Sequence, residues 1–129
     1  MSTRAIIATP TENGYVGAWN WYDSFPNVLG RKLRSNFKTL EQAKELISYK
    51  AFGSIYTAEE KAEYDEKTTI FNNCIEISGV SKKPLYLSYI GIDIEKHPFP
   101  YHFDSIADML EQDINYVYVF ENGKWVTYK

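Results

Sequence analysis

The chain has 129 residues, 44% of them hydrophobic and 24% charged, with a formal net charge of −3 and one cysteine, Cys74. That length lets a chain bury roughly two-thirds of the surface its unfolded form exposes, so a single domain over 1–129 is expected, with no metal or disulfide needed to hold it. The negative charge excludes a protein that grips nucleic acid chiefly through its phosphates, and one cysteine excludes an internal disulfide.

The chain opens Met1-Ser2-Thr3-Arg4 and passes straight into Ala5-Ile6-Ile7-Ala8, too short an apolar run for a signal peptide. No segment reaches membrane-spanning length, so a soluble cytoplasmic protein is expected. Residues 3–9 read as a strand rich in β-branched residues, and 15–21 as a second that sets Tyr15, Trp19 and Trp21 on one side. Asn13-Gly14 between them predicts a hairpin, because both residues tolerate positive φ. Pro26 suits the first turn of a helix, and Val28, Leu29, Lys32 and Leu33 follow at helical spacing. Thr39-Leu40-Glu41-Gln42 predicts a capping box, with Leu40, Ala43, Leu46 and Ile47 forming one stripe. Two helices over 27–36 and 40–50 follow from this.

Residues 52–56 read as a linker. Thr57-Ala58-Glu59-Glu60 predicts a second capping box, opening a charged helix through Lys67 whose early acids suit the helix dipole. Residues 75–77 and 85–94 read as strands, with a hairpin connection over 79–84. The prolines of Lys96-His97-Pro98-Phe99-Pro100-Tyr101-His102 exclude helix there. Asp104 or Ser105 caps a helix through Asp113, and the chain closes with a strand over 116–120, a type I′ turn at Asn122-Gly123 and a return strand over 124–128. The expected fold is α+β: an antiparallel β-sheet built from terminal hairpins, with helices packed on one face.

Three stretches together resemble a family of small proteins encoded by phages and prophages: Thr3-Arg4-Ala5-Ile6-Ile7, the Trp-Asp-Gly-Tyr-Pro-like run from Trp21 to Pro26 with the following Gly30, and the closing Tyr116-Val117-Tyr118-Val119-Phe120-Glu121-Asn122-Gly123-Lys124-Trp125. The resemblance covers residues 1–50 and 103–129. Family members tend to place a histidine before the tryptophan; this chain has none there, inserts Tyr22 and carries Ser24 in place of glycine, so no histidine role carries over. The resemblance implies an accessory protein of a phage or mobile element, a class that often blunts host defence.

Trp19, Trp21, Tyr22, Asp23 and Phe25 form an aromatic corner. It serves either as a binding patch, since tryptophan and tyrosine dominate interface hot spots, or as a strand-to-helix corner in which Asp23 caps the helix begun at Pro26. Arg31, Lys32, Arg34 and Lys38 suit a phosphate ligand or a solvated helix face. Glu59, Glu60, Glu63, Asp65 and Glu66 can imitate the charge of a nucleic acid for a basic partner, or lie on an ordinary charged helix. His97, His102 and Asp104, with Asp93, are the candidates for a metal set; two histidines five apart across a proline-rich loop do not make one, and no metal is expected. Cys74 lacks a neighbouring histidine in the pattern nucleophilic catalysis requires, and no glycine-rich phosphate loop is present.

No cofactor and no enzymatic activity are therefore expected. The leading expectation, drawn from the resemblance, is a phage-encoded inhibitor that binds a host defence protein, an anti-CRISPR protein occluding a Cas nuclease. The binding residues would be Trp19, Trp21, Tyr22, Asp23, Phe25, Arg31, Arg34, Glu59, Glu60 and Glu63. The alternatives are a sponge for a cyclic-nucleotide or ADP-ribose-type immune signal, with a base on the aromatics and phosphate on Arg31 or Arg34, and a non-catalytic phage accessory protein.

Overall fold

In the computed structural model, which describes residues 3–65, 74–77, 83–88 and 99–129, two hairpins meet side by side. The first joins β1 (Ala5–Thr11) to β2 (Gly14–Asn20), the second β8 (Tyr116–Glu121) to β9 (Lys124–Tyr128). Asn122 (φ 54°) and Gly123 (φ 78°) form the expected primed turn. In the first hairpin Thr11 pairs with Gly14, so the loop is Glu12-Asn13 and lies one residue earlier than the Asn-Gly signal suggests. Gly14, at φ 150°, is needed for close approach: a Cβ there would sit 2.2 Å from the Phe103 carbonyl oxygen.

The α+β class is as expected, but the main sheet is mixed rather than antiparallel. β1 and β8 pair in parallel, from Ala5 with Tyr116 to Ala8 with Val119, and β3 (Ala51–Phe52) adds in parallel to the end of β2. β7 (His102–Phe103) pairs antiparallel with the start of β2. The resulting sheet has six strands, in the order β3-β2-β1-β8-β9 with β7 beside β2. Turn chemistry governs pairing inside a hairpin; how two hairpins meet is decided by burial. Residues Ala5 to Thr9 and Val117 to Phe120 are all buried, the signature of strands covered on both faces.

One face carries Ile7, Ala18 and Tyr118 and packs against Leu29, Leu33, Phe37 and Leu46. Those come from a π-helical turn, Pro26–Gly30, continued by α1 (Arg31–Asn36) with Phe37 at its C-terminal cap, and from α2 (Leu40–Ser48). The opposite face carries Ile6, Trp19, Val117 and Val119 and packs against Phe103 and Met109. Met109 lies on α4 (Ile106–Leu110), so helices cover both faces rather than one. The physical reason is that alternate residues of β1 and β8 are apolar on both sides, and a single helical layer would leave one of those faces wet.

The capping boxes form as expected. Thr39 and Gln42 cap α2 reciprocally, at 3.1 and 3.2 Å. Thr57 and Glu60 do the same for α3 (Ala58–Asp65), at 3.0 and 3.2 Å. The stretch expected as a linker instead supplies β3 and β4 (Ile55–Thr57), joined at Gly53-Ser54. A second, three-stranded antiparallel sheet pairs β4 with β6 (Leu85–Leu87) and β6 with β5 (Ile75–Ile77). Its Ile55, Ile77, Leu85 and Leu87 join the same core as Leu29 and Phe37. The hydrogen bonds of Ser88 fasten Gly53 and Ser54 to this sheet (2.7 to 3.0 Å). The expected strand at 85–94 is described only to Leu87, and residues 89–94 lie outside the described residues.

Candidate functional site

The chain leaves β2 at Asn20 and turns through Trp21-Tyr22-Asp23-Ser24-Phe25 into the π-helical turn. Local preference permits this turn at Asp23, whose φ of 55° is left-handed; aspartate tolerates that region better than most residues. Tertiary hydrogen bonds then lock it. Asn20 Nδ2 donates to the Tyr22 carbonyl and to Ser24 Oγ, both at 2.8 Å, and Ser24 Oγ donates to the Asn20 carbonyl at 3.2 Å. From β8, Tyr118 Oη donates to the Ser24 carbonyl at 2.6 Å. The Tyr22 amide donates to the Gly53 carbonyl at 2.7 Å, and Ser54 Oγ to the Tyr22 carbonyl at 3.1 Å. Burial, reinforced by Tyr116 and opposed by Arg34, pushes the Tyr118 hydroxyl up, so it remains a donor throughout the physiological range.

Asp23 does not cap the helix. Phe25 stands at the N-cap, with no side-chain cap bond, and its carbonyl accepts from the amides of Val28 and Leu29 at 3.0 and 2.9 Å. The side chains of Tyr22 and Phe25 are 42% and 44% exposed, with Phe25 edge-on to Tyr116 at 6.5 Å.

The tryptophans take a different place. Trp19 is 4% exposed; its Nε1 donates to the Pro100 carbonyl at 2.9 Å, and its ring stacks on Phe99 at 5.0 Å. Trp21 also meets Phe99, at 5.2 Å, and the Arg4 guanidinium lies 4.5 Å above its ring while pairing with Asp113. Both rings lie in the core layer with Ile6 and Met109. Arg31 and Arg34 stand on α1, which packs on the opposite face of the sheet. Stacking on Trp19 or Trp21 and phosphate held by Arg31 or Arg34 thus fall on two sides of the sheet.

Between the π-helical turn with α1 and β4 with α3 lies a cleft of about 270 Å³. Leu29, Ile55, Asn20 and Ser54 line it, with Tyr22, Asp23 and Tyr56 also contributing. Lys32 and Glu60 pair at its wall, at 2.9 Å, and Lys32 Nζ also donates to the Ile55 carbonyl at 2.5 Å. Burial acts to raise the Glu60 carboxyl, but the Thr57 amide and Lys32 outweigh it and hold the group below its ordinary value. The structure therefore brings Tyr22, Asp23 and Glu60 to one cleft. Glu59 is occupied elsewhere: it pairs with Lys83, and that hydrogen bond holds its carboxyl down. Glu63 is exposed.

His102 and Asp104 are exposed near the first hairpin; His97 and Asp93 lie outside the described residues. Among the described residues no three histidine, cysteine or acidic side chains gather to hold a metal, and no helix is long and apolar enough to cross a membrane. Sequence reasoning missed Asn20, Ser24, Ser54 and Tyr118, the residues that build the corner. Asn20, a polar residue at the end of an apolar alternating strand, is one legible hint. Lys32 carried another, since its helical spacing with Val28 and Leu33 already set it on the inward stripe.

The chain matches no family model, and no curated protein or solved structure is similar enough to it to count as a match.

Proposed function

We propose that this chain acts by binding a protein partner, as a phage-borne inhibitor of bacterial defence would, with occlusion of a Cas nuclease as the leading case. The observation that carries the reading is the corner after β2. Tyr22 and Phe25 stand 42% and 44% exposed on a backbone held by hydrogen bonds from Asn20, Ser54 and Tyr118. Large aromatics presented on a rigid support supply affinity at little ordering cost, which is how interface hot spots work.

Charge supports the same reading in a modified form. Glu59 and Glu60 are matched internally by Lys83 and Lys32, so an acidic contribution to a basic partner falls to Asp23 and Glu63, both exposed. With a net charge of −3, such attraction speeds encounter more than it adds affinity.

The test is co-elution in size-exclusion chromatography with candidate Cas nucleases, followed by calorimetry. The expected result is a complex that Phe25→Ala weakens by about tenfold or more, as for a hot-spot residue. A complex untouched by Phe25→Ala would overturn the role of the corner. Thermal stabilisation by cyclic nucleotides, with no protein complex, would favour the sponge instead.

A further inference from the structure

Asn20 is 1% exposed and projects from the face of β2 that carries Ala18, toward Leu29 and Ile55. Both hydrogens of its Nδ2 are used, on the Tyr22 carbonyl and Ser24 Oγ. Two acceptor partners fix which end of the amide is nitrogen. What is left over is Oδ1, buried and without a hydrogen-bond partner among the described residues, in a residue that lines the cleft. Buried acceptors are nearly always satisfied, so an orphan in a cleft wall marks a place where a donor belongs.

The carboxylates of the cleft have the same sense. Its ammonium and serine donors are engaged: Lys32 Nζ with the Ile55 carbonyl and Glu60, Ser54 Oγ with the Tyr22 carbonyl. Beside the Tyr22 and Tyr56 hydroxyls, which can donate or accept, the remaining side-chain polar groups are acceptors, from Asn20, from the Asp23 carboxylate and from Glu60. Asp23, Glu60 and Lys32 together leave one net negative charge. We propose that this cleft binds a donor-only cation, and that a guanidinium is its best-matched ligand.

A guanidinium offers five N–H groups and no acceptor. One edge satisfies Asn20 Oδ1 while another reaches a carboxylate, and its weakly hydrated planar faces suit the Tyr22 ring and the side chains of Val28, Leu29 and Ile55. A phosphate or carboxylate would meet acceptors and like charge. The ligand is either a free guanidino compound or an arginine side chain of a protein. The site does not depend on the partner-binding reading, since a small guanidinium alone would fill it.

The test titrates isotope-labelled protein with ethylguanidinium, and with ethylurea as a neutral mimic of the same shape, following the Asn20 side-chain amide and the Ser54 backbone amide by NMR. Saturable shifts confined to the cleft are expected, about tenfold weaker with ethylurea. Tyr22→Ala, a position whose backbone alone makes the corner's hydrogen bonds, should weaken ethylguanidinium binding several-fold with the rest of the spectrum unchanged. Equal response to both probes, shifts scattered over the surface, or unaltered affinity in Tyr22→Ala would overturn the proposal. Tighter binding of a blocked arginine tripeptide than of free arginine assigns the ligand to a protein side chain; the reverse assigns it to a small molecule.

Discussion

Ser24 is fully buried in a loop between a strand and a helix, a place where a backbone carbonyl normally faces water. Its carbonyl is instead answered by the Tyr118 hydroxyl, 94 positions later, and its own hydroxyl by Asn20. Removing the phenol oxygen leaves that carbonyl buried and unpaired, which costs about 1–3 kcal/mol. Tyr118→Phe should therefore lower unfolding stability by about that amount in urea titration, with an unchanged m-value. It should also loosen the corner, read as faster exchange of the Tyr22 amide. None of these partnerships was legible in the sequence, because serine, asparagine and tyrosine at these positions read equally as loop, cap and core. Only their meeting in space gives them a role.

At the scale of elements, local signals were the most legible. The two capping boxes and the Asn122-Gly123 turn depend on residues within four positions of one another, and all three form. The Thr57–Glu60 cap is also tied to α1 through Lys32, which gives it a pH signature. Glu60 is held below its ordinary carboxylate value in the folded chain, so its contribution is complete above that ordinary value and is lost as pH falls through the folded one. Urea midpoints should fall on acidification in this window, and Glu60→Gln should flatten that fall relative to the parent. Thr57→Ala should cost about 1 kcal/mol at neutral pH, as for other lost caps. The stretch 52–56 reads as a linker because Gly53-Ser54 has turn composition; its pairing with Ser88 makes it the junction of two sheets. A Cβ at Gly53 would lie 2.4 Å from Ser88 Oγ, a closeness no local pattern announces.

Over the whole molecule the N-terminal strand lies inside, between β2 and β8. β1 and its parallel partner β8 are thus where the sheet is most enclosed. β1 and β8 amides should exchange with solvent most slowly, at rates set by global unfolding, while the short edge strand β3 opens earlier; residue-resolved hydrogen exchange checks this. If β3 proves as protected as β1, the sheet order loses its energetic meaning. From the sequence alone followed the α+β class, the two hairpins and the capped helices, because each rests on backbone preferences read over a few neighbouring residues. The tertiary structure alone decided the parallel meeting of the hairpins, the helices on both faces and the cleft beside Asn20. Those depend on which apolar faces can be covered together and which buried polar atoms find partners, and both are settled between residues far apart in the chain.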